Sequence, residues 1–313
     1  MPHHLFTALL LSCALLGSCA TTRPEPDPEI ERERQEKRDR TKALAEQMTR
    51  INAVLLNLDK AMDKYVEAVA RGGYQRADEM ARGLENYLRG TSTKHFEALV
   101  EVAVTDTDSV NRARAVGALG FSDRPEALDP LLNGLRSGHP AVVTNAAFGL
   151  GILSDARTPP QALGAIIENG ALPQRTRIGA AWSLLRVQAA MHDPAEAVPI
   201  WQRLLVDPDA NVDAWILVQA LRGVGRSRVP ANAAAVIPFL DHPTPLVRQA
   251  AAIASGYLGS VDAVDGLLAR IGPEETNANV RLSSRKALKA LAGGTDRGYD
   301  VMQWRRLFDD AGR

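Results

Sequence analysis

The chain has 313 residues, 45% of them hydrophobic and 5% aromatic, and its 37 Lys and Arg balance its 37 Asp and Glu. That balance leaves no whole-chain field to draw in nucleic acid or an acidic substrate, so nucleic-acid binding is set aside. Cys13 and Cys19 are the only cysteines, which leaves everything downstream without a disulfide framework, a thiolate metal site or a Cys nucleophile.

Residues 5–16 form an apolar run of about a dozen residues, short of the roughly 20 needed to span a bilayer and followed by small residues. It reads as a removable export segment over 1–18, although His3 and His4 stand where Lys or Arg is usual. Leu16-Gly17-Ser18-Cys19 resembles the bacterial lipobox. The resemblance implies cleavage before Cys19 and lipidation of its sulfur. Ala20 at the next position implies anchoring to the outer membrane, facing the periplasm. Each buried acyl methylene contributes about 0.8 kcal/mol, so several chains hold with little exchange. Ordinary cleavage after Ser18-Cys19-Ala20 is the alternative and leaves an exported, unanchored protein.

Residues 19–41 read as a tether and stalk. Pro24, Pro26 and Pro28 favour extended chain, and Glu33/Lys37 and Glu36/Arg40 stand at the i,i+4 spacing of a solvated helix. Over 42–90 an N-terminal helical hairpin is expected. Leu44, Met48, Ile51, Leu55, Leu58, Met62, Tyr65 and Val69 alternate in steps of four and three, a heptad seam. The flanking positions hold residues such as Ala45, Asn52 and Ala61 rather than pairing charges, which favours docking within the chain over homodimerisation. Gly72-Gly73 ends this helix and a second follows over 74–88. Ala68, Gly72, Tyr74, Ala77 and Leu84 resemble a single tetratricopeptide hairpin; the pair is read as a cap on a repeat array that begins at residue 91.

From 91 to 294 one helix recurs six times. A Val-Arg-x-x-Ala-Ala-x-Ala-Leu-Gly pattern places its Arg position at Arg112, Val143, Arg177, Asp213, Arg248 and Arg281, in steps of 31, 34, 36, 35 and 33. A period near 34 indicates stacked helical hairpins. Shorter first helices are predicted over 93–104, 127–135, 161–167, 195–205, 233–240 and 261–271, followed by polar turns such as Asp106-Thr107-Asp108, His139-Pro140 and Asp207-Pro208-Asp209. Gly120, Gly151, Gly225 and Gly259 stand where second helices should end, as C-caps.

Val247-Arg248 with Ala251-Ala252, Val280-Arg281, Arg112 to Gly120, and Pro130, Pro199 and Pro238 in first helices resemble HEAT repeats, especially the phycobilisome lyase-like kind. The resemblance implies an all-α fold, a right-handed α-solenoid of about six HEAT-like hairpins with an N-terminal hairpin and a C-terminal capping helix. It also implies that Arg177, Arg248 and Arg281 tie turns to neighbouring units, a ladder broken at Val143 and Asp213. Second helices then line the concave side. Five residues after each Arg position stand Gly117, Phe148, Trp182, Val218, Ile253 and Lys286. Phe148 and Trp182, joined by Trp215, are the candidate partner-binding strip, since exposed aromatic clusters are frequent anchors. Residues 295–313, with Trp304, Leu307 and Phe308 on one helix face, are expected to seal the last core layer.

No catalytic residues, cofactor or metal are expected. His95, His139, His192 and His242 form no i,i+4 pair and no His-Glu doublet, and no phosphate loop or Gly-x-Ser-x-Gly elbow occurs. The expected function is a membrane-tethered, non-catalytic scaffold in the bacterial cell envelope that binds a protein or peptide partner. The alternatives are a HEAT-repeat enzyme of the pigment lyase-like kind and a self-assembling structural envelope lipoprotein.

Overall fold

The structure, a computed structural model, describes residues 27–71, 73–206 and 212–311, apart from the side chains of Leu44 and Ala311. Two compact units meet at Arg50/Ile51, inside one helix, α1 (Pro28–Ala70). Pro28 sits in the first turn, where its missing N–H costs nothing, and the Glu29 N–H donates to Asp27 Oδ1 at 3.0 Å. In the first unit, Arg38 pairs with Glu31 at 3.2 Å, an exposed contact of little weight.

In the second unit the seam is buried at Leu55, Leu58, Met62 and Tyr65, whereas Val69 is exposed. The seam is thus occupied within the chain from Leu55 to Tyr65. Gly73, at φ 92°, opens the turn into α2 (Gln75–Lys94). This helix outruns its expected end and delays the next, α3, to Phe96–Thr105. Arg89 on α2 binds Glu85 at 2.7 Å and also Asp123, and the Thr93 hydroxyl donates to Ser122 O at 2.8 Å. α2 is thereby fastened to the first repeated unit.

Six hairpins follow. Their second helices are α4 (Ser109–Leu119), α6 (Pro140–Leu153), α8 (Gln174–Ala190), α10 (Ala214–Arg226), α11 (Pro245–Leu258) and α13 (Ala278–Leu291), each packed on the one before. The first helices are α3, α5 (Leu128–Gly134), α7 (Pro160–Glu168), α9 (Val198–Leu204) and α12 (Val264–Ile271). In the fifth unit two 3-10 turns, Pro230–Ala235 and Ile237–Asp241, replace the expected α-helix over 233–240. Pro230 and Pro238 lack the N–H groups a continuous helix would need there. Among the described residues there is no strand, and no helix is long and apolar enough to cross a membrane.

Small side chains let the second helices approach closely. Ala146, Ala147, Ala180, Ala181, Ala251 and Ala252 are essentially inaccessible. The expected glycine caps are corrected here. Only Gly259, at φ 72°, is a left-handed cap. Gly151 and Gly225 lie inside their helices, and Gly120 keeps a right-handed backbone at φ −59°. They are contact points instead: a Cβ on Gly120 would lie 2.5 Å from Gly149 Cα, and one on Gly151 would lie 2.5 Å from Ser183 Oγ. Gly225 and Gly256 likewise face Ala254 and Ala287 of the next second helix, at 3.0 Å.

The turns follow the expected chemistry. Asp108 accepts from the Val110 N–H and Asp213 from the Trp215 N–H, both at 2.8 Å. Asp213 is thus the N-cap of α10 and not the counterpart of Arg112, Arg177, Arg248 and Arg281, each of which stands four residues after its own N-cap; the aligned place in α10 falls on Leu217. Asp207, Pro208 and Asp209 lie outside the described residues. The arginines divide their work. Arg177 Nε donates to Ile167 O at 2.7 Å within its own unit, while Arg248 forms a two-pronged pair with Glu275 of the next, at 2.7 and 2.8 Å. Arg281 lies over the Tyr299 ring at 4.8 Å.

The array closes on α14 (Val301–Ala311), which contacts α12. Trp304 is fully buried, stacks with Phe308, and donates from Nε1 to Gly298 O at 3.0 Å. Asp296 is pushed down to about 2 by its hydrogen bonds with the Arg285 guanidinium and the Gly298 N–H.

Candidate binding face

From α8 onward the second helices present one side to solvent, on which Trp182, Arg186, Arg222, Arg226, Tyr257 and Lys286 fall, whereas Gly117, Phe121 and Ile152, at the equivalent fifth or ninth places after the Arg position in the first two units, are buried. At the first unit the fifth position is occupied from within: a Cβ on Gly117 would lie 3.3 Å from Met62 Sδ of α1. Phe148 and Trp182 come next, both half-buried. Their rings stack at 5.9 Å and 16°. The ring chain continues toward the chain start into the core, where Phe121 and Tyr65 are buried, a continuation that sequence reasoning missed. Phe121 lies 6.0 Å from Phe148, and Tyr65 meets Phe121 edge-on at 5.4 Å. Phe121 stands nine residues after Arg112, so its place in that row is the signal the sequence carries for it.

Trp215 does not join this strip. It is 55% exposed in the first turn of α10, and among the described residues it makes no ring contact. Counted from the helix N-caps, Pro173 and Asp213, the α10 residue in register with Trp182 is Arg222, which is exposed and carries no ring. Trp215 stands seven residues before Arg222, about two turns nearer the start of α10. Cys19 lies outside the described residues.

Beyond α10 the face opens into a groove of about 400 Å³ between α11 and α13, lined by Ile253, Tyr257, Leu282 and Lys286 among others. Arginines crowd its approach. The Arg186 guanidinium lies over the Trp182 ring at 5.1 Å, and its Nε donates to Gly151 O at 2.6 Å. Arg226 donates to Leu185 O at 2.6 Å. Burial holds Arg226 below the ordinary guanidinium range, and the neighbouring Arg222 and Arg186 charges add to that, against a smaller opposing effect of Tyr257. The Tyr65 hydroxyl is pushed up, first by burial and then by Glu85, with Arg186 and Arg89 opposing.

Among the described residues, no group of three or more His, Cys, Asp or Glu could hold a metal ion. The face offers aromatic edges, apolar side chains and guanidinium forks, which suit recognition of extended polar chain.

Residues 96–185, spanning α3 to α8, match the family model described as HEAT repeats. No curated protein matches the chain. Among solved structures, the complex of CpcE and CpcF of phycocyanin lyase from Nostoc sp. PCC7120 is 19% identical, covers 78% of this chain and 92% of that one, and has a TM-score of 0.38. Human deoxyhypusine hydroxylase in complex with glycerol is 17% identical, covers 82% and 96%, and has a TM-score of 0.30. An engineered protein is 17% identical over 80% and 72%, with a TM-score of 0.47. No residue role passes from them to this chain at such identities. The fold is an all-α solenoid of HEAT-like hairpins.

Proposed function

We propose that the chain is a non-catalytic scaffold that binds a protein or peptide partner on the open side of its second helices, and that it is tethered by lipid at Cys19 in the bacterial cell envelope. The observation that carries this reading is the grooved face running from Phe148 and Trp182 to Ile253 and Lys286, built on packed helices. A preformed surface of that kind binds with little ordering entropy to overcome. The six second helices contain no carboxylate from which a groove acid or base could be made. Trp215 lies apart from the strip and is left out of the anchor set.

Two measurements test the two halves. A photo-crosslinking residue at Ile253 or Leu282 in intact cells gives a discrete adduct, whereas one at Glu101 on the opposite layer does not; equal labelling from all three removes the groove assignment. Cys19→Ala moves the protein out of the membrane fraction, and unchanged fractionation rules out the lipid tether.

A further inference from the structure

Charge neutrality over the chain conceals a division between layers. Every charge on α4, α6, α8, α10, α11 and α13 is Arg or Lys. The first-helix layer is the reverse. Glu97, Glu101, Asp129, Glu168, Asp241 and Asp265 are among its carboxylates, against Arg203 and Arg270. Some of the positive charge is consumed within the fold, where Arg114 pairs with Asp59 and Arg285 with Asp296, both at 2.9 Å.

Arg175, Arg186, Arg222, Arg226 and Lys286 remain exposed. None forms an ion pair with a carboxylate among the described residues. Arg175 shares its helix side with Ile178, Trp182 and Arg186 at steps of three and four, Arg222 with Arg226, and Lys286 borders the groove with Ile253 and Leu282. Cations and apolar side chains therefore alternate over one surface. The mutual repulsion of Arg186, Arg222 and Arg226 is a cost that a bound anion relieves.

The spacing distinguishes among anions. Packed helix axes lie about 8–10 Å apart, and α6 contributes no cation, so charges are sparse and separated by apolar surface. A nucleic-acid strand, with a phosphate about every 3.4 Å, calls for a denser row. Its bases would also need open ring faces, but Trp182 is already stacked on Phe148 and covered by Arg186. An acidic polypeptide fits both the sparse charges and the apolar gaps.

We propose that the open face takes an acidic polypeptide segment, its carboxylates paired with Arg175, Arg222 and Lys286 and its apolar side chains seated between Ile253 and Leu282. This deepens the scaffold reading and rests on it. The test uses the full chain and the variant Arg175→Gln/Arg222→Gln/Lys286→Gln, whose three exposed side chains make no hydrogen bond or ion pair among the described residues. The probes are a labelled peptide of alternating Glu and Leu, its Gln-Leu counterpart, a thymidine oligonucleotide and phosphatidylglycerol vesicles. The acidic peptide binds about tenfold more tightly than the Gln peptide at low salt, and the variant loses about tenfold with an unchanged thermal midpoint. Equal affinity for the two peptides, or an undiminished variant, overturns the acidic partner. So does failure of both peptides to bind, or tighter binding of oligonucleotide or vesicles. Adducts at Ile253 in cells combined with any of these results leave the scaffold standing without its acidic occupant.

Discussion

Arg248→Ala lowers stability by about 3–5 kcal/mol, the range for removing one partner of a buried ion pair. Glu275 is 3% exposed, and Arg248 holds it with two N–H groups across the junction between the fifth and sixth units. The same guanidinium donates to His242 O at 2.8 Å and Pro243 O at 2.9 Å, so its loss removes these two bonds as well. The Glu275 carboxyl is held below the usual carboxylate range, chiefly by hydrogen bonds from Arg248 and further by the Asn277 N–H. A folded-state value below the unfolded one of about 4.3 means that this stability is complete above that pH and is lost as pH falls through the folded value. The variant does the opposite: its buried carboxylate keeps the Asn277 N–H and Arg270 at 3.9 Å but loses its two-pronged partner, so protonation relieves it and the deficit narrows in acid. Urea unfolding of both proteins between pH 7 and pH 3 measures this, and a loss under about 1 kcal/mol at pH 7 would remove Arg248 as the tie.

Gly120→Ala costs about 1–3 kcal/mol or more, the range for overfilling a packed interior. The new methyl meets Gly149 Cα and its carbonyl oxygen at 2.5 Å, and backbone cannot rotate aside as a side chain can. α4 and α6 must part instead. Gly179→Ala is the control: nothing lies within 4 Å of a Cβ there, and alanine in a helix interior stabilises by about 0.5–1 kcal/mol. Opposite shifts of the thermal midpoint are expected, and matching shifts would refute the close-contact account.

The array was legible because its alanine pairs repeat at a fixed distance, and a buried seam needs that repetition. The role of the glycines was not. Gly120 and Gly151 fall near helix ends in the sequence, where a cap and a close contact call for the same residue. Only the partner across the gap distinguishes the two. Trp215 was drawn into the strip by residue type, but in the structure it stands two turns nearer the helix start than the place level with Trp182, which is held by Arg222. Arg248 was legible as a tie, but Glu275 was not: it lies in a loop 27 residues on, outside any period. The positive face escaped because a sum over the chain cancels two layers that geometry separates.

The contact of Gly120 with Gly149 restricts where the chain tolerates a change in length. One residue inserted within a second helix turns everything beyond it by about 100° and swings the glycine away from its neighbour, so insertions and deletions belong in the first helices and the turns. The second helices begin after Asp108, His139, Pro173, Asp213, Thr244 and Asn277, at steps of 31, 34, 40, 31 and 33 residues; uneven steps between helices that keep their glycine contacts are the trace such a rule leaves.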